Sequence, residues 1–211
     1  MKIPLREKKP IVTRFVLGYL LKPDKTFDTD RDNGYSFAVL FFATISLTLI
    51  MVHFLLLHID DVLRGVPVSQ ILDSIIDAVF FASGYIFLEI LIILTIIHLT
   101  AKYWSKDAKF SNSFKITLIS YAYVVAILAL ISIIGNILYF LSSPEFKYGV
   151  MYPFFIAAVI IFIWVAANGI KVLHGLSDLK SYAIATIAIA AANLAIYCYG
   201  LLYFSQFIAW G

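Results

Sequence analysis

Five stretches of the chain are almost free of acidic and basic side chains. Asn33 to Ile59 runs 27 residues without Asp, Glu, Lys or Arg, and Ala78 to Ala101 runs 24 with Glu89 as the one exception. Ile116 to Pro144 gives 29, Tyr148 to Ile170 gives 23, and Ser181 to Gly211 gives 31. A helix rises about 1.5 Å per residue, so about 20 residues cross a hydrocarbon core about 30 Å thick. Each stretch is long enough for one crossing and too short for two with a turn. Barrel strands alternate apolar with polar side chains at period two, and these stretches do not. The pattern predicts an all-α polytopic membrane protein, a bundle of five transmembrane helices over about 35–57, 78–101, 116–141, 150–172 and 181–205.

Ahead of them, Ile11, Phe15 with Val16, and Tyr19 with Leu20 recur at helical spacing, with Arg14 and Lys22 between. That spacing predicts a short amphipathic helix at the membrane surface, ending before Pro23. The chain therefore divides into a segment 1–34 and a five-helix membrane domain 35–211. Segment 1–34 is too polar to hold the apolar core of a cleavable signal peptide.

Composition agrees with the pattern: 62% of 211 residues are hydrophobic and 14% charged, with mean hydropathy +0.94. Soluble domains run about 45–50% apolar and about 25% charged. A single Cys excludes an internal disulfide. The net charge of +3 says little as a sum, but its distribution orients the chain. Eight Lys and Arg precede the first span, four (Lys102, Lys106, Lys109, Lys115) lie between the second and third, and Lys171 and Lys180 flank the last turn. The two intervening loops hold only Arg64 and Lys147. By the positive-inside rule, fourteen against two places the N-terminus in the cytoplasm and the C-terminus outside. The basic inner face, with Arg14, Lys22, Lys102, Lys106, Lys109 and Lys115, suits anionic lipids, and nothing in the chain points to nucleic acid.

Local signals were matched to the span ends. Ser74 with Asp77 reads as a capping box opening the second span, Ser111 or Ser113 as a cap for the third, and Ser177 before Asp178 as a cap for the fifth. Pro144 closes the third span, and Pro153 falls in the first turn of the fourth. Tyr103, Trp104, Tyr148, Tyr152 and Trp210 lie where an aromatic belt belongs.

Glu89 carries the sharpest chemical signal, because a carboxyl at mid-membrane is costly and must find a donor inside the bundle. Asn136, Asn168 and Asn193 form an intramembrane polar site with it, and Ser120 and Tyr121 are further candidate partners. Two readings stay open: a relay or polar site, or a hydrogen bond that joins two helices. His53, His58, His98 and His174 show no zinc-ligand spacing. Asp60, Asp61, Asp73 and Asp77 cluster outside, where a solvated helix start explains them better than calcium does. No metal, cofactor or catalytic constellation is expected, and Cys198 lies mid-span where it should be inert. Alanines crowd the last two spans, which permits close packing, and Asn168 and Asn193 are placed to form a polar clasp there.

The junction between those spans resembles a known family. Trp164 to Ser177 (WVAANGIKVLHGLS), followed by Ala183, resembles the fourth-to-fifth helix junction of the Yip family, small five-span membrane proteins named for interaction with Ypt/Rab GTPases. Trp164, Lys171, His174, Gly175 and Ser177 carry the likeness there. Leu20 to Phe27 (LLKPDKTF) is similar to the family's L-x-x-P-x-x-x-F lead-in, and Ser113 to Ala126 (SFKITLISYAYVVA) to the start of its third span. The long N-terminal region and DLYGP-like motif of the eukaryotic branch are missing, and Val124-Val125-Ala126 stands where a proline is common. The chain thus looks like a short prokaryotic, archaeal-type member, and GTPase binding does not carry over. The resemblance implies a non-enzymatic scaffold or adaptor of the cell membrane, organising partners or bilayer, as a homo- or hetero-oligomer. The other reading is a small oligomeric transporter or channel using Glu89 and the intramembrane Asn residues.

Overall fold

Charge-free runs fold as helices because lipid offers backbone groups no hydrogen-bond partners. The computed structural model describes residues 17–31, 35–58, 65–141 and 144–209, without the side chains of 35, 37, 48–50, 52–57, 77–78, 81–82, 132, 135–152 and 199–209. Residues 17–21 are helical. They are followed by α1 (Pro23–Thr29), α2 (Tyr35–Leu57), α3 (Val68–Trp104), α4 (Phe110–Leu141), α5 (Pro144–His174) and α6 (Asp178–Ala209). No strand occurs among the described residues. The leading helix stops before Pro23 as expected, whereas Ile11, Arg14, Phe15 and Val16 lie outside the described residues.

Among the described residues four stretches are long and apolar enough to cross a membrane: Ser83–Trp104, Phe110–Ile131, Pro153–His174 and Asp178–Cys198. Helix α2 has 23 residues, of which the described apolar part is Ala38–Leu47.

Several helices outrun their charge-free windows, and this overturns three expected landmarks. Helix α3 begins at Val68, directly after Pro67 (φ −56°), so Ser74 and Asp77 stand within it rather than at its start. Proline pre-sets its own φ and starts the turn without a side-chain cap. Helix α4 begins at Phe110, and the Lys109 carbonyl accepts from the N–H groups of Asn112 and Ser113, at 3.1 and 3.3 Å. Ser111 and Ser113 therefore stand within the helix. Pro144 opens α5 rather than closing α4, which leaves Pro153 in the α5 interior. The charge-free window marks hydrocarbon, and Ser, Asp and Lys continue a helix into water at little cost. The last turn follows expectation: Gly175 adopts φ +67°, and α6 starts at Asp178 with the Ser177 carbonyl accepting from Ser181 N–H at 3.0 Å. The left-handed value favours glycine after a helix end.

Helix α4 is central, packing on α2, α3 and α5, with 67% of its apolar window buried against 33% for α3 and α6. Helix α6 closes the ring by packing on α5 and α3. Ala185, Ala188 and Ala192 are fully buried on α6, as are Val165 and Ala166 on α5, so small side chains let the helices approach. Phe80, Phe87, Ile160 and Leu194 face outward, as a lipid-facing perimeter requires.

Candidate functional site

The three family-like stretches, far apart in sequence, meet at one end of the bundle. Residues 17–31 form a strap across this end, with α1 packed on α5. Phe27 and Tyr19 are buried, their rings edge to face at 4.7 Å between centroids. The Phe27 ring occupies the space a side chain at Gly169 would need: a Cβ there would stand 2.9 Å from Phe27 Cζ and 3.0 Å from Ile116 Cγ1. A glycine is thus required because the strap approaches the α5 backbone itself. Polar contacts complete the docking. Tyr19 Oη donates to Asp30 Oδ2 at 3.0 Å, and Trp164 Nε1 donates to the Leu20 carbonyl at 3.2 Å.

The strap also caps α5. The last carbonyls of a helix have no partner within it. Here Arg31 Nη2 donates to the Val172 carbonyl at 2.6 Å, and Asn112 Nδ2 to the Leu173 carbonyl at 3.1 Å. Lys115 stitches the strap to α4, its Nζ donating to the Asp30 and Arg31 carbonyls at 3.0 and 3.3 Å. Lys115 is buried, at 4% exposure. It therefore does not belong to the exposed basic face on which its charge placed it. The ends of α4 and α1 adjoin here, and carbonyls past a helix end attract a cation.

Beside this lies a node that spacing along the chain concealed. Ser113 Oγ is 3.4 Å from His98 Nδ1 and 3.1 Å from His174 Nε2, linking α3, α4 and α5. A hydroxyl has one proton and two lone pairs, so Ser113 donates to at most one ring, and the histidine tautomers set which. His174 Nδ1 is buried without a hydrogen-bond partner. Among the described residues no group of three His, Cys, Asp or Glu could hold a metal; Asp60 and Asp61 lie outside them. Lys171 Nζ and Asp178 Oδ1 pair at 2.6 Å across the α5–α6 turn, both largely exposed.

Within the spans, Glu89 is buried and accepts a hydrogen bond from the Tyr121 hydroxyl, which joins α3 to α4. Tyr121 was among the candidate partners. Asn168 and Asn193 do not join this pair. Asn168 Nδ2 donates to the Trp164 carbonyl and Asn193 Nδ2 to the Ile189 carbonyl, each at 2.8 Å and each within its own helix. The clasp between α5 and α6 is therefore absent, because a carbonyl four residues back is always within reach of a helical Asn. Ser120 Oγ is buried without a partner, and the Asn136 side chain lies outside the described residues.

The remaining bases line the rim of the strap end. Lys22, Lys102, Lys106 and Lys109 are exposed, and Lys180 Nζ stands 5.6 Å from the centre of the Trp104 ring. Arg14 lies outside the described residues.

A family model described as the Yip1 domain matches residues 17–201. No curated protein and no solved structure matches the chain. The match spans the strap, the start of α4 and the α5–α6 junction that the strap adjoins. This integral membrane protein belongs to the Yip1-domain family.

Proposed function

We propose that the protein is a five-span membrane scaffold or adaptor of the Yip type, with α2 as its first crossing and the strap end in the cytoplasm. The observation that carries this reading is the strap itself. It fills the groove at the base of α4 and α5, satisfies the Val172 carbonyl at the end of α5 and is tied to α4 by Lys115, which makes the end of the bundle one ordered surface. A surface ordered in advance spends less entropy on each partner it binds, which suits an adaptor. Helix α2, at about 1.5 Å per residue, reaches about 35 Å and matches a bilayer core. The fourteen Lys and Arg on the strap side of the spans support the cytoplasmic orientation.

Two measurements test the reading. A fluorescent reporter on the N-terminus should be active inside cells, and a periplasm-dependent phosphatase on the C-terminus active outside. A photo-crosslinker at Asp107, exposed in the α3–α4 connection, should then trap a specific protein in native membranes. Recovery of none would remove the adaptor role. The Glu89–Tyr121 hydrogen bond supports an interhelical staple over a transport site, since it commits the one buried acid of the described spans to a neighbouring helix.

A further inference from the structure

The bases of the strap end fall into two groups with different duties. On the α1/α5 side, Arg31 is committed to the Val172 carbonyl, Lys115 to the Asp30 and Arg31 carbonyls, and Lys171 to Asp178. On the strap, Asp28 stands 3.9 Å from Arg31, and Asp24, Asp28 and Asp30 balance Lys22, Lys25 and Arg31 in number. Around the end of α3 the position is reversed. Lys102, Lys106 and Lys109 follow one another along the last turn of α3 and the connection to α4, and Lys180 leans over Trp104 from the first turn of α6. Among the described residues none of these four makes an ion pair, and Asp107 is the one acid between Lys102 and Lys109.

Depth separates a lipid from a soluble ligand. Lys102 and Tyr103 sit in the final turn of the span Ser83–Trp104, and Lys180 in the first turn of the span Asp178–Cys198. A span end lies at headgroup level, where lysine stems run along apolar surface and carry their ammonium groups to the phosphates. Tyr103 and Leu179 are 84% and 83% exposed at the same level. In water such side chains would be an unexplained apolar patch, whereas at the edge of a bilayer they are solvated by it. The Trp104 ring holds Lys180 by a cation–π contact without neutralising it.

We propose that Lys102, Lys106, Lys109 and Lys180, grouped around Trp104 at the α3/α6 corner, form a docking surface for the phosphate headgroups of anionic phospholipids. This rests on the reading of the strap end as the cytoplasmic membrane face, and it narrows the basic face to the corner where four lysines stand without an ion pair among the described residues.

The test uses the full-length protein in nanodiscs of phosphatidylcholine with phosphatidylglycerol as minor component, and native mass spectrometry to count retained lipids. The wild type should retain phosphatidylglycerol well above its share of the bilayer. Lys102→Gln/Lys106→Gln/Lys180→Gln should lower that preference by about fivefold for each lysine removed. Lys22→Gln/Lys25→Gln on the strap should leave it unchanged. Should the triple variant fail to insert, salt decides: raising ionic strength from about 0.05 to about 0.5 M should weaken the wild-type preference. A wild type without preference, a preference insensitive to salt, or equal loss in the strap variant overturns the proposal. Crosslinking of a protein partner at Asp107 with no lipid preference in the wild type would overturn this inference and leave the adaptor role standing.

Discussion

Phe27→Ala should release the strap while the membrane-spanning helices stay assembled. The buried ring fills the space over Gly169 and against Ile116, and truncation of a buried Phe costs about 3–5 kcal/mol. Nothing nearby is free to refill the hole, because Gly169 has no side chain and Tyr19 is held by Asp30. The strap is joined to the bundle by this ring and a few hydrogen bonds, so the cost should appear as local opening. Hydrogen exchange of amides 23–31 should accelerate by on the order of a hundredfold or more, while amides of α4 and α5 keep their protection. Gly169→Ala attacks the same contact from the other side, at about 1–3 kcal/mol for overpacking. Two of its three closest contacts are Phe27 atoms, so Gly169→Ala should cost less in the Phe27→Ala background than alone. Strictly additive effects, or unchanged exchange in Phe27→Ala, would show that the ring does not anchor the strap.

The Glu89–Tyr121 pair should give the largest effect inside the membrane. Tyr121→Phe removes the donor and leaves a buried carboxyl unanswered, at about 1–3 kcal/mol. Glu89→Ala leaves the phenol unanswered at a similar cost, but Glu89→Gln keeps an oxygen for Tyr121 and should stay closer to wild type. In a thermodynamic cycle the double variant Glu89→Ala/Tyr121→Phe should lose less stability than the two single losses summed. The coupling energy should be about 0.5–2 kcal/mol, within the range for hydrogen bonds between membrane helices. Thermal unfolding in detergent reads it directly. A coupling near zero would refute the staple. Loss of ion flux in Glu89→Gln, measured in proteoliposomes at unchanged stability, would restore the transport reading.

The spans were legible in the chain because the signal is local: a charge in hydrocarbon is costly wherever the neighbouring helices lie. The positions of helix ends were less so. Ser74, Ser111 and Ser113 stand where the charges return and so resemble caps, yet α3 and α4 start earlier, at Val68 and Phe110. The strap was half visible. The stop of its first helix before Pro23 followed from backbone stereochemistry, and the family-like stretches marked the strap and the two zones it contacts. That Phe27 enters the notch at Gly169 was not readable, although a glycine in the motif Trp164–Ser177 was the available clue.

By itself, then, the sequence determined an all-α membrane chain, its long apolar helices, the turn at Gly175 and the buried place of Glu89. Each depends on one segment and its solvent. The tertiary structure alone decided what the polar groups do. It turned Lys115 from a surface charge into a buried stitch and brought His98 and His174 together on Ser113. It also gave Glu89 to Tyr121 while Asn168 and Asn193 satisfied themselves within their own helices. These outcomes rest on the rotation and register of one helix against another. A hydrogen bond reaches only about 3 Å, while one residue of helical rotation is about 100°. Spacing along a single helix therefore names the face of a side chain but not the group it meets.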